Sequence, residues 1–98
     1  MTLSAETPQI RHLSSSNRFE LLSGGHTAVL EYTLDGDTIT FTHTFVPAEL
    51  EGRGIGSQLS HAGMEFAREN SLKVVSTCWF VTGYIERHIE YQPLLKTG

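Results

Sequence analysis

With 98 residues, 39% of them hydrophobic and 18% charged, the chain has room for one small core and one site, in the balance of a globular domain. A net charge of −4 with scattered basic residues lacks the electrostatic footprint of a nucleic-acid binder, and no apolar run approaches the roughly 20 residues that span a bilayer. The single cysteine, Cys78, excludes an internal disulfide, and the opening "MTLSAETPQI" lacks the basic patch and apolar run of a leader, so the expected location is the cytoplasm.

Residues 1–16 contain Pro8, run into "LSSSN" and show little apolar periodicity, which predicts a flexible tail ahead of one domain over residues 17–98. "RFELL" reads as a short strand closed by the turn signal Ser23 to Gly25. "HTAVLEYTL" alternates, with Ala28, Leu30, Tyr32 and Leu34 on one face, and "DGD" at 35 to 37 signals a hairpin. The partner strand "TITFTHTFV" is expected to place Ile39, Phe41, His43 and Phe45 on one face, completing a three-stranded antiparallel meander.

Pro47 ends that strand. A helix follows, with Ile55, Leu59, Ala62, Met64, Phe66 and Ala67 on one broad face and Asn70 as its stop. "LKVVSTC" reads as a short buried strand, parallel to "TITFTHTFV" because a helical crossover separates them. A second short helix is expected from Trp79 to about Arg87. The order βββαβα with a mixed sheet predicts an α+β fold.

The stretch "GRGIGS" sets Gly52, Gly54 and Gly56 at the mouth of the first helix, with Arg53, Ile55 and Ser57 between and after them. A helix begins with backbone N–H groups that have no intrahelical partner and with the positive end of its dipole. Glycines ahead of it let a bulky phosphate come close, and Arg53 or Ser57 adds a donor. The segment therefore reads as a pyrophosphate cradle, against the plainer reading of a tight strand-to-helix turn. A Walker A loop is excluded because no lysine occurs before Lys73, and a dinucleotide fingerprint because the third glycine falls one place early.

"VPAELEGRGIGSQL" resembles the acetyl-CoA loop of the GNAT superfamily of N-acetyltransferases, with Gly54 and Gly56 in the glycine positions. Together with "THTFVP" before it and "STCWFVTGYIERHIEY" after it, the pattern is most similar to the small YjdJ-type branch, over about Phe19 to Tyr91. The resemblance implies a compact GNAT-like fold that binds acetyl-CoA as cosubstrate, with the pantetheine arm along the backbone of Phe45 and Val46, and transfers acetyl to an amine of unspecified identity. The sequence departs from the family pattern at Glu51, where relatives carry Arg or Gln, and at His88-Ile89-Glu90-Tyr91, where "HPEY" is expected.

Cys78 closes the second parallel strand just ahead of a helix, where a thiolate is favoured; its other reading is a small buried hydrophobe. Relatives with a candidate active-site cysteine at this place strengthen the first reading. His43, on the neighbouring strand, is a candidate base for it or a core residue satisfied by a carbonyl. Both a direct transfer and one through acetylated Cys78 fit these residues. The alternative to an enzyme is a CoA-binding module without significant turnover. His12, His26, His61 and His88 have no metal-ligand spacing, so no metal is expected.

Overall fold

The structure is a computed structural model that describes residues 9–97. Five strands form one mixed sheet in the order β1-β2-β3-β4-β5: β1 (Gln9–Leu13), β2 (Arg18–Ser23), β3 (His26–Asp35), β4 (Thr38–Phe45) and β5 (Lys73–Ser76). The first three neighbouring pairs are antiparallel, and β4 pairs β5 in parallel, from Thr38↔Lys73 to Phe41↔Ser76. Helix α1 (Ile55–Glu69) makes the crossover between those two, since parallel neighbours cannot be joined by a hairpin. Helix α2 (Trp79–Arg87) follows β5, and a 3-10 segment (Ile89–Leu94) ends the described chain. None of the helices among the described residues is long and apolar enough to cross a membrane.

The α+β fold has the meander, the parallel strand and the two helices that the sequence predicts, with one strand more. Residues 9–16, expected as part of the tail, instead form β1 and a 3-10 turn (Ser14–Ser16); residues 1–8 lie outside the described part. The reason is tertiary. Ile10 and His12 stand opposite Leu21 and Phe19, so one face of β1 extends the core face of the sheet. His12 stacks on Phe19 at 4.1 Å between ring centroids, meets Phe66 edge-on at 4.4 Å, and its Nε2 lies 2.6 Å from the Tyr32 hydroxyl.

Alternation puts Phe19, Leu21, Ala28, Leu30, Tyr32, Ile39, Phe41 and Val74 on the covered face of the sheet. They meet Ile55, Leu59, Met64 and Ala67 of α1 and Val81, Tyr84 and Ile85 of α2 in one cluster. Burying each such large side chain stabilises the fold by about 1.5–3 kcal/mol before chain entropy is subtracted. On the opposite face Glu20 is 7% exposed and is held by Arg11 and Arg18 at 3.0 and 2.9 Å. At the C-terminal end, buried Tyr91 donates its hydroxyl to Glu65 at 2.5 Å and meets His61 Nδ1 at 3.0 Å, fastening the last turn to α1.

One irregularity decides what faces the site. Tyr32 pairs with Phe41 but Glu31 pairs with His43, so Thr42 is an extra residue, a β-bulge in β4. Beyond it the alternation is inverted. Leu30, which points into the core, stands opposite Thr44, while His43 pairs with Glu31 and Phe45 with Val29 on the other face. The expected single face of Ile39, Phe41, His43 and Phe45 is therefore broken in two.

Candidate functional site

Parallel pairing of β4 with β5 ends at Phe41↔Ser76, and the last link is the Thr77 N–H donating to the Phe41 carbonyl at 3.0 Å. Past that point β4 runs on to Phe45 while the other strand turns into α2, so the two chains part. A cavity of about 340 Å³ lies between them, walled by Thr44 and Val46 on one side, Cys78, Trp79 and Phe80 on the other, and Leu50, Glu51, Gly52, Gly54, Ile55 and Gly56 at its end. Two helix N-termini thus open on one cavity.

The mouth of α1 is bare. Gly54 is its capping residue in the left-handed region, φ +72°, and no side chain caps the first turn. Gly52 also has φ +82°. A side chain at either position would strain the backbone, by about 1–2 kcal/mol per residue. Gly56 is helical, and its reason is different. A Cβ there would lie 2.6 Å from the tip of the Phe80 ring, so glycine lets α2 close over α1. Within the helix the first bond is Gln58 N–H to Gly54 carbonyl, 3.1 Å, which leaves the N–H groups of Ile55, Gly56 and Ser57 free for an anion.

The mouth of α2 is occupied by sulfur. Cys78 is the capping residue in an extended conformation, 7% exposed, with its Sγ 3.3 Å from the Thr44 hydroxyl. Burial pushes its thiol pKa up, but hydrogen bonding from Thr44 and from the backbone N–H groups of Val81, Phe80 and Thr44 outweighs this, and the pKa falls below its ordinary value. The sulfur faces the N–H groups of the first turn without closing a formal cap on them. The structure thus brings Cys78 and Thr44 together, not Cys78 and His43. His43 is exposed on the opposite face of the sheet.

Among the other residues singled out in the sequence, Val46, Gly52, Gly54, Ile55 and Gly56 line the cavity. Arg53 is exposed and does not line it; Ser57 turns to a separate cleft beside His61, Tyr84 and His88; the Phe45 side chain, 53% exposed, stands on the open face. Thr44, Leu50, Trp79 and Phe80 were not marked by the sequence. Thr44 is hidden by the bulge, whereas the Gly56 to Phe80 contact has a signal in hindsight, an aromatic at the start of one helix and a small residue at the start of the other. Trp79, 84% exposed, stands at the rim. No three His, Cys, Asp or Glu side chains among the described residues converge to hold a metal ion.

Residues 18–94 match the family model described as GCN5-related N-acetyl-transferase. The chain belongs to this family. It is 36% identical over 83 residues to Protein NATD1 of Xenopus tropicalis and to that of Gallus gallus, covering 82% of this chain and 76% of each relative. Protein NATD1 of Homo sapiens is 39% identical over 69 residues, 68% of this chain and 61% of that one. Among solved structures, the NMR solution structure of a GCN5-like protein from Staphylococcus aureus superposes with a TM-score of 0.74 at 30% identity, covering 98% of this chain and 93% of that one. The family match and the superposition agree with an α+β GNAT-like fold built on a mixed five-stranded sheet.

Proposed function

We propose that this family member binds acetyl-CoA and transfers its acetyl group to an amine, as a small acetyltransferase of the YjdJ-type branch working in the cytoplasm. The observation that carries the reading is one continuous cavity running from the uncapped N-terminus of α1 to the thiol of Cys78. The pyrophosphate of CoA is to accept hydrogen bonds from the free N–H groups of Ile55, Gly56 and Ser57, which favour negative charge there. The pantetheine arm then lies along Thr44 to Val46, and the apolar wall of Val46, Leu50 and Phe80 excludes water from the thioester.

The lowered pKa of Cys78 favours a covalent route. Its thiolate sulfur attacks the acetyl carbonyl, a new carbon–sulfur bond forms, and the CoA carbon–sulfur bond breaks, CoA leaving as a thiolate that takes up a proton. A neutral amine next attacks acetylated Cys78, the acetyl–sulfur bond breaks, and the amine's proton goes to the sulfur. Backbone N–H groups of the first turn of α2 stand ready for the oxyanion. In the direct route the amine attacks the CoA thioester itself, and the departing sulfur receives the proton; no role falls to exposed His43.

Mass spectrometry after mixing with acetyl-CoA and no acceptor tests this. The expected result is acetylated Cys78 with one equivalent of free CoA, absent in Cys78→Ala. Turnover that persists in Cys78→Ala selects the direct route. The second reading, a CoA-binding module without significant turnover, is favoured by Glu51, an exposed acidic residue among those at the α1 end of the cavity. CoA binding with neither adduct nor turnover on any amine selects it.

A further inference from the structure

A second cavity, of about 370 Å³, is lined by Ser76, Thr82, Ile85, Glu86, Gln92 and Leu95. We infer that this cavity holds a protonated amino group, and hence that the acetyl acceptor carries two amino groups, one bound here as an ammonium and one presented to the thioester. The identification of the bound group as part of the acceptor rests on the transferase reading above.

The chemistry follows from counting protons. The Cys78 carbonyl can only accept, so Ser76 spends its one hydroxyl proton on it, at 3.0 Å. The 2.9 Å contact between Ser76 and Thr82 must then use the proton of Thr82. Gln92 turns its Nε2 to the Glu86 carbonyl at 3.5 Å, which spends one of its two amide protons and leaves its Oε1 and one N–H. The Glu86 carboxylate forms no ion pair among the described residues. Beside that one amide N–H, what the lining residues still offer is acceptors: hydroxyl lone pairs of Ser76 and Thr82, the Gln92 amide oxygen and the carboxylate of exposed Glu86. An ammonium has three donors and no acceptor, the complement of that set, and its charge answers Glu86. Ile85 and Leu95 supply an apolar wall for methylene groups.

The position relates the cavity to the first site. Cys78, Thr82 and Glu86 follow one another at four-residue spacing along α2, and the Thr82 N–H donates to the Cys78 carbonyl at 3.0 Å. At 1.5 Å of rise per residue, Thr82 and Glu86 lie about 6 and 12 Å along the helix from Cys78. An acceptor with its two nitrogens separated by a chain of four to eight methylene-sized links spans that range, whereas a monoamine cannot hold Glu86 and reach the thiol's neighbourhood together.

Two matched probes test this, 1,5-diaminopentane and n-pentylamine. In amide chemical-shift titrations without CoA, the diamine is expected to move Thr82, Glu86 and Gln92, and Glu86→Gln to weaken that binding about three- to fivefold, the scale of one exposed charge pair. In acetyl transfer, kcat/KM is expected to favour the diamine about threefold or more, and Glu86→Gln or Leu95→Trp to erase the preference. Thermal melts check that both variants are folded. Equal kcat/KM for the two amines, or shifts indifferent to Glu86→Gln, overturns the inference. Diamine binding at Glu86 without acetyl transfer to any amine upholds the cation site and overturns the transferase reading instead.

Discussion

The two helices begin on the same cavity and begin differently. At α1 the capping residue is Gly54, with no side chain to offer, and the first-turn N–H groups are left without a partner among the described residues. At α2 the capping residue is Cys78, whose sulfur already sits before the N–H groups of Phe80 and Val81 and against Thr44. Both ends carry the same partial positive charge, so the difference lies in what is meant to meet it. In the proposed function the first is open to an anion from outside. The second is spent on lowering the pKa of a thiol.

The largest expected way to break the contrast is Gly54→Val. A β-branched residue at φ +72° is strained although its Cβ would meet open space, which costs stability by about 1–2 kcal/mol or more and distorts the turn that presents the bare N–H groups. The expected outcome is a lower melting temperature and loss of the stabilisation that CoA gives to wild type, while NAD and ATP stabilise wild type less than CoA does. Gly56→Ala acts through packing instead. Its Cβ displaces the Phe80 ring, and the strain of overpacking is about 1–3 kcal/mol, read as a lowered melting temperature with a weakened rather than abolished CoA effect.

Much of this arrangement is legible in the sequence, and where it is not the reason is physical. Helix α1 from Ile55 and helix α2 from Trp79 fall where apolar spacing puts them, because both bury one face. The β2–β3 and β3–β4 hairpins fall at the glycine turns. Strand β1 is not legible because its covered face carries only Ile10 and His12, and an imidazole reads as polar until Phe19 and Phe66 close around it. The bulge at Thr42 is not legible either. "TITFTHTF" alternates without interruption, and only pairing with β3 shows that one residue is extra, which turns His43 out and Thr44 in. A candidate base drawn from alternation thus becomes a surface residue, and the thiol's true neighbour is a threonine.

Two smaller effects sharpen the contrast. At the α2 mouth, the alkylation rate of Cys78 is expected to titrate below the free-thiol value of about 8.5, and bound CoA to slow it. Thr44→Val removes the hydroxyl partner and is expected to move that titration back up. At the α1 mouth, Glu51→Arg exchanges repulsion for attraction, raising CoA affinity by up to about 1 kcal/mol at low salt and less at high salt.

The smallest effect concerns the scaffold away from both mouths. Burial lowers the pKa of His12, so the folded state prefers the neutral ring. Below the unfolded value of about 6.5 the unfolded chain binds a proton that the folded one resists, and stability is lost as pH falls through that window towards the folded pKa. Thermal melts from pH 7 to 5 should show this slope, and His12→Phe should flatten it while costing the Tyr32 hydroxyl its partner.

The central claim, that the bare end of α1 takes an anion which the filled end of α2 does not, is tested most directly by amide chemical shifts of the labelled chain during titration with CoA. The account predicts that the largest displacements fall on Gly54, Ile55, Gly56 and Ser57, with smaller ones at Thr44, Val46 and Cys78 to Phe80, and that inorganic pyrophosphate alone reproduces the first set. Displacements centred on α2, or none at the Gly54 to Ser57 amides at saturating CoA, would contradict it.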